Sequence, residues 1–330
     1  MSMQSIISDL LTDLNINPVL LDIGASAAPP KIWSSLAQHS TYIGFDPDLR
    51  EIHEEAAGAF RRSVIVNEAV TPDKGANELA FYLAASPFCS STLEPEPVFI
   101  NHWLYSNFFA VEKKTQVRAT TIDSTISRLN VDHIDWFKTD SQGTDLRLFN
   151  SLSPAVKSHV LAVDIEPGLV EIYKGEDLFI DVHQDFLHNG FWLSDVNVGR
   201  FVRMRRSSLD AAKSIEREIN DAFINETVKS SPTYLEARYF RTIEWLAENS
   251  LSRQEYALLW VFAVLDEQLG FAFDLSLEFE RIFGNDDLSR RLKSHTLEIL
   301  KTAFRIRQKR KPIERIERVL KKIARRLIRT

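Results

Sequence analysis

The chain has one cysteine, Cys89, in 330 residues, which excludes an internal disulfide and points to a reducing compartment such as the cytoplasm. It also lacks any apolar run of membrane-spanning length. The longest, from Tyr256 to Leu265, stops at Asp266 at about half the length a span needs. The first residues, with an early aspartate and no basic flank, do not have the pattern of a signal peptide. No H-x-H, H-E-x-x-H or C-x-x-C spacing occurs, so a zinc site is not expected. Glycine is scarce, at 11 residues, and Gly24-Ala-Ser-Ala-Ala28 holds one glycine where a dinucleotide-binding loop needs three. Without the others, a pyrophosphate cannot settle on the following helix N-terminus.

What is present is ordinary for a globular protein: 44% hydrophobic and 26% charged residues, enough to build a sizeable core. The net charge of −6 conceals an asymmetry. Residues 301–330 carry 13 Lys and Arg against 2 Asp and Glu, net +11, which leaves 27 against 44, net −17, for residues 1–300. Such a tail needs an acidic partner, on this protein or outside it.

From Pro18 to about Arg206, short apolar runs alternate with amphipathic segments, the pattern of a mostly parallel sheet covered by helices. Strands are expected at 19–23, 41–45, 63–68, 134–139, 159–165, 191–197 and 200–205. The last two would form a hairpin turning near Gly199. Pro29-Pro30 suits the first turn of a helix after the first strand. Residues 71–120, rich in proline and aromatics, read as an insertion at the mouth of the site with strands near 78–84 and 115–120. Beyond 206 the spacing is helical, over 208–228, 233–249, 252–269, 274–283, 286–308 and 312–329, with stops at Pro232, Gly270, Gly284 and Pro312. The expected organisation is therefore a doubly wound α/β domain (1–206), a helical unit (207–311) and a basic amphipathic helix (312–330).

Two strand ends carry the first chemical signal. Val19-Leu-Leu-Asp-Ile-Gly-Ala-Ser26 ends at Gly24, where the backbone can turn tightly, and Tyr42-Ile-Gly-Phe-Asp46 ends at an aspartate able to accept from two ribose hydroxyls. Together they suit a cofactor with an adenosine half and no pyrophosphate, and S-adenosylmethionine fits best. Asp22 is a candidate for its ammonium group, with Gly24, Ala25 and Ser26 in the loop beneath and Glu68 near the adenine.

The second signal is Ile134-Asp-Trp-Phe-Lys-Thr-Asp-Ser-Gln-Gly143. With Asp46, Ser90-Ser91, Thr121-Ile-Asp123, Glu166, Tyr173-Lys-Gly-Glu-Asp-Leu-Phe179 and Gly190-Phe191, it resembles the FkbM-type methyltransferases over roughly residues 15–200. The resemblance implies a Rossmann-like sheet of the class I methyltransferase kind and methyl transfer from S-adenosylmethionine, most often to a hydroxyl of sugars or polyketide-like alcohols. Two positions depart from the family pattern: Ala28 stands where a second glycine is usual, and Asp145 where glutamate is.

On this reading, Asp140 at the end of the fourth strand is the first candidate for base or hydroxyl orienter, with Glu166 at the next strand end and His183 on the following helix as further candidates. Asp140 and Glu166 could also hold a divalent cation, a reading not favoured because no third ligand is evident. Lys138 is expected to pair with Asp22 or Asp164. Ser90 and Ser91 line the acceptor side or merely belong to a polar loop. The tail from Pro312 places its apolar residues on one helical face and Lys and Arg on the rest. This fits an interfacial helix on an anionic membrane, or a helix packed on the preceding unit. Nucleic-acid binding fits less well, since the tail has no aromatics for stacking. The expected function is an O-methyltransferase acting on a glycan hydroxyl; the alternative is a binding or scaffold protein that kept the fold and lost the chemistry. A nicotinamide enzyme is a third, weaker reading.

Overall fold

A computed structural model describes residues 3–26, 28–48, 50 and 58–327, with side chains through residue 308. The chain forms two compact units, residues 7–259 and residues 1–6 with 260–330.

The larger unit is α/β. Its strands are β1 (Val19–Ile23), β2 (Thr41–Phe45), β3 (Arg62–Val66), β4 (Ala69–Val70), β5 (Glu78–Ala84), β6 (Val111–Thr120), β7 (Trp136–Thr139), β8 (Ala162–Ile165), β9 (Phe191–Phe201) and β10 (Ser231–Arg241). Seven of them form one sheet in the order β3-β2-β1-β7-β8-β10-β9, parallel except for the pairing of β10 with its two neighbours. The direction of winding reverses between β1 and β7, so the loops after these strands diverge and leave a crevice at their C-terminal ends. One face of the sheet is apolar. Leu21, Ile43, Phe137 and Val163 pack there with Ile126, Phe149 and Phe186 from the helices Ile122–Arg128, Asp145–Asn150 and Phe179–His188.

Strands β4, β6 and β5 form a second, three-stranded sheet from the insertion expected at 71–120, with β5 at its expected position. The connection after β1 differs from expectation. Instead of a full helix beginning at Pro29-Pro30, two short 3-10 turns, Lys31–Ser35 and Ala37–His39, follow with Pro30 as N-cap.

The end of the sheet corrects the sequence reading most. There is no hairpin at 197–199: β9 runs straight through Gly199, where a Cβ would lie 2.1 Å from the Tyr234 ring. That glycine serves a close approach between strands, not a turn. The seventh strand is β10, inside the stretch expected to be helical, and its buried residues Thr233, Leu235, Ala237 and Tyr239 alternate with period two. The sheet therefore extends past the expected boundary at 206, to Arg241; the helices Arg206–Ile215 and Asp221–Thr227, within the stretch expected to be helical over 208–228, lie between β9 and β10, and no strand follows Arg241 among the described residues.

In the smaller unit, the helix Leu269–Phe283 ends at Gly284, whose φ of +91° suits glycine, and the helix Asp287–Leu327 follows. Lys293 pairs with Glu280 at 2.6 Å, and Trp260 Nε1 donates to Thr296 Oγ1 at 2.9 Å. The stop expected at Pro312 does not occur, because the helix is continuous through it. The apolar face expected over 312–330 falls on side chains outside the described ones.

Candidate functional site

The polar face of the large sheet carries a row of charges in register. Asp22 on β1, Lys138 on β7, Asp164 on β8, Arg238 on β10 and Asp195 on β9 are cross-strand partners in turn. Lys138 Nζ donates to Asp22 Oδ1 at 2.6 Å, and Arg238 forms a forked pair with Asp164 at 2.7 and 3.0 Å. Alternation of sign lets each charge lie between opposite ones. Burial pulls the Lys138 ammonium towards neutrality, but Asp22, Asp140 and Glu166 outweigh it and hold its pKa above the ordinary lysine value.

The next row towards the crevice has no such balance: it presents Gly24, Asp140, Glu166 and Glu236. Gly24, at φ +80°, lies against the end of β7, so that a Cβ there would be 2.2 Å from the Asp140 carbonyl oxygen. Only glycine permits this approach. Asp140 is held by Gln142, whose Nε2 donates to its Oδ1 at 2.6 Å. Gln142 in turn has φ +58°, and its Oε1 lies 2.8 Å from the Tyr173 hydroxyl, which fixes the orientation of the amide. Burial pushes the Asp140 carboxyl up against the opposing pull of Lys138. Glu166 has no hydrogen-bond partner among the described residues. Burial and the nearby Asp140 and Asp145 push its pKa up to about 10, which favours the neutral acid.

Three cavities meet at Asp140. The first, of about 610 Å³, is lined by Gly24, Ser26, Asp46, Glu68, Val70, Phe81, Phe88 and Asp140. Asp46 is 5% exposed; its Oδ1 accepts from the Asp48 amide at 2.7 Å, while its second oxygen has no partner among the described residues. Burial raises its pKa to about 6, opposed by that hydrogen bond. Glu68 at the far end pairs with Arg128 at 3.1 Å. The second cavity, of about 800 Å³, adds Glu166 and Glu176 to a wall of Phe88, Tyr105, Phe109, Tyr173, Phe201 and Tyr234; among the described residues, no lysine, arginine or histidine lines it. The third, of about 680 Å³, lies over the charge row, between Pro30, Lys138, Asp140, Glu166, Asn197 and Arg238.

The structure thus brings together Gly24, Ser26, Asp46, Glu68, Asp140 and Glu166, and separates three other candidates from them. Asp22 is 1% exposed, with one oxygen on Lys138 and the other accepting from Tyr42 at 2.9 Å, so it does not reach the first cavity. Ala25 is buried, its amide donating to Phe45, and does not line the cavity. His183 faces Tyr239, with Nδ1 3.0 Å from its hydroxyl, and stacks on Phe179; it lines none of the three cavities. Its helix turns that side towards the sheet, which the periodicity alone does not specify.

Other polar residues in the motifs are structural. Asp145 accepts at one oxygen from Thr139, the Ser141 amide and the Ser141 hydroxyl, and so shapes the turn after β7; burial raises its pKa to about 6. Ser91 donates to the Gln142 carbonyl at 2.7 Å, and the Ser90 hydroxyl accepts from Arg50 and from the Ala84 amide. Both tie the insertion to the sheet. Gln142 and Tyr173 stood within the sequence motifs without an assigned role, and the aromatic wall had no signal beyond the composition of the insertion. Among the described residues, no group of three or more histidine, cysteine, aspartate or glutamate side chains is arranged to hold a metal ion, and no helix is long and apolar enough to cross a membrane. No protein-family model matches the chain, and neither the curated proteins nor the solved structures include a match to it.

Proposed function

We propose that the protein is an S-adenosylmethionine-dependent O-methyltransferase of the FkbM kind, acting in the cytoplasm on a hydroxyl of a sugar or glycan. The observation that carries this reading is the position of Asp140, a half-buried carboxylate at the wall shared by a cavity containing Gly24 and Asp46 and an aromatic cavity containing Glu166. The seven-stranded, mostly parallel sheet is compatible with the Rossmann-like fold that the resemblance implies and supports the same reading.

The residues suit the cofactor. Gly24 brings its loop against the end of β7, and Asp46 keeps one carboxylate oxygen for ribose hydroxyls. Ala28 is exposed and outside the cavity lining, so its methyl does not narrow the pocket. When bound, S-adenosylmethionine supplies an activated methyl group. Asp140, held by Gln142 and Tyr173, orients the acceptor hydroxyl and takes its proton; its raised pKa makes it a stronger base than an exposed aspartate. Glu166, protonated, donates a hydrogen bond to a second acceptor oxygen. The aromatic wall offers stacking surface and, among the described residues, no cation, which favours an uncharged acceptor over a phosphorylated one.

The test is calorimetric titration with S-adenosylhomocysteine, which needs no knowledge of the acceptor. Saturable one-site binding that Asp46→Ala removes is the expected result. Absence of binding by folded protein would overturn the enzyme reading in favour of a scaffold, and a copurifying dinucleotide would favour a nicotinamide enzyme.

A further inference from the structure

The helix Asp287–Leu327 has 41 residues, about 60 Å at 1.5 Å per residue. Its first turns are built into the helical unit: Leu288, Leu292 and Thr296 are buried. From residue 301 onward every described side chain is exposed, Phe304 at 63% and Ile306 at 48%. The sequence changes character over the same stretch. Ile313 begins a series, Ile313, Ile316, Leu320, Ile323 and Leu327, spaced by three, four, three and four residues, which falls along one side of a continuous helix; Lys309, four residues earlier, marks where that side ends. Between residues 313 and 327, Arg315, Arg318, Lys321, Lys322, Arg325 and Arg326 fall on the opposite side.

We infer that residues 313–327 form an interfacial helix that docks this protein on an anionic phospholipid surface, its aliphatic side in the headgroup boundary and its basic side towards lipid phosphates. The argument rests on charge complementarity and is independent of the methyltransferase reading. A net charge of +11 over residues 301–330 is matched by a surface dense in anions. A second copy of the same helix does not match it, because pairing would set the two positive segments side by side. In a parallel pair the facing flanking positions, Pro312 with Glu317 and Val319 with Ala324, also bring no opposite charges together. A nucleic acid would satisfy the charges and leave the aliphatic side exposed to water.

The experiment is sedimentation of the full-length protein with vesicles of phosphatidylcholine alone or mixed with phosphatidylglycerol, alongside the double variants Ile316→Ser/Ile323→Ser and Arg325→Glu/Arg326→Glu. The expected result is an apparent affinity for the mixed vesicles about tenfold or more above that for neutral ones, lost at high salt, and reduced about tenfold or more by each double variant. Circular dichroism of the variants, both more polar than the parent, checks that the fold is kept. Binding that survives the serine variant would show a purely electrostatic contact and overturn the interfacial helix. Equal binding to both vesicle types, or none, would overturn the proposal outright. In the last case, a concentration-dependent dimer in light scattering, or binding to an oligonucleotide, would name the occupant instead.

Discussion

Two rows of side chains, two residues apart on the same strands, behave in opposite ways. In the inner row Asp22, Lys138, Asp164 and Arg238 are paired across strands and neutralise one another. In the outer row Asp140 and Glu166 occupy the same strand ends with no ion pair among the described residues, and both are pushed towards the protonated state by burial. The inner row behaves as scaffold. The outer row carries an electrostatic cost that folding alone does not require, and such cost concentrates where ligands bind and chemistry occurs.

The largest effect that would sharpen the contrast is on turnover. Asp140→Asn should lower methyl transfer by about a hundredfold or more while leaving S-adenosylhomocysteine affinity within a few-fold of the parent. A variant that loses binding instead would move Asp140 into the cofactor's own support. The inner row should fail differently. Lys138→Met leaves Asp22 buried without its cation and should cost about 3–5 kcal/mol in denaturant unfolding, several times the effect of Asp140→Asn on the same measurement. Similar losses from both would erase the distinction between the rows.

Asp46, with its pKa near 6, provides a binding test. It is ionised at neutral pH and protonated below about 6, so cofactor affinity should fall there by up to about tenfold per pH unit; Asp46→Asn should bind weakly at every pH.

The smallest effect concerns stability. Burial pushes Glu166 from the ordinary 4.5 up to about 10, so above 4.5 the native state should keep a proton that the unfolded state loses. Stability therefore declines as pH rises through that window. Glu166→Gln, which mimics the protonated acid, should match the parent near pH 4 and gain roughly a few degrees in Tm by pH 9. A constant difference across the range would mean that Glu166 is ionised when folded.

Much of this architecture was legible in the chain. The short apolar runs that became β1, β2, β7 and β8 needed only their own composition, because strands buried on both faces leave little alternative. Gly24, Asp46, Asp140 and Glu166 were readable as strand-end residues for the same reason: the C-terminal edge of a doubly wound sheet is where ligands collect. The last two strands were not. Gly199 looks like a turn until Tyr234 is laid across it, and residues 231–241 suit a helix until their alternation is set against a neighbouring strand.

The sequence by itself therefore determined the sheet's first half, the residues at its crevice-facing edge and the basic character of the tail, since each depends on local composition and short-range spacing. Only the tertiary structure decided that Asp22 is consumed by Lys138 and Tyr42, that His183 turns to Tyr239, and that Gln142 and Tyr173 hold Asp140. These are pairings between residues 20 to 116 positions apart or choices of side-chain direction within a motif, and one-dimensional spacing carries no information about which partner a buried charge will meet.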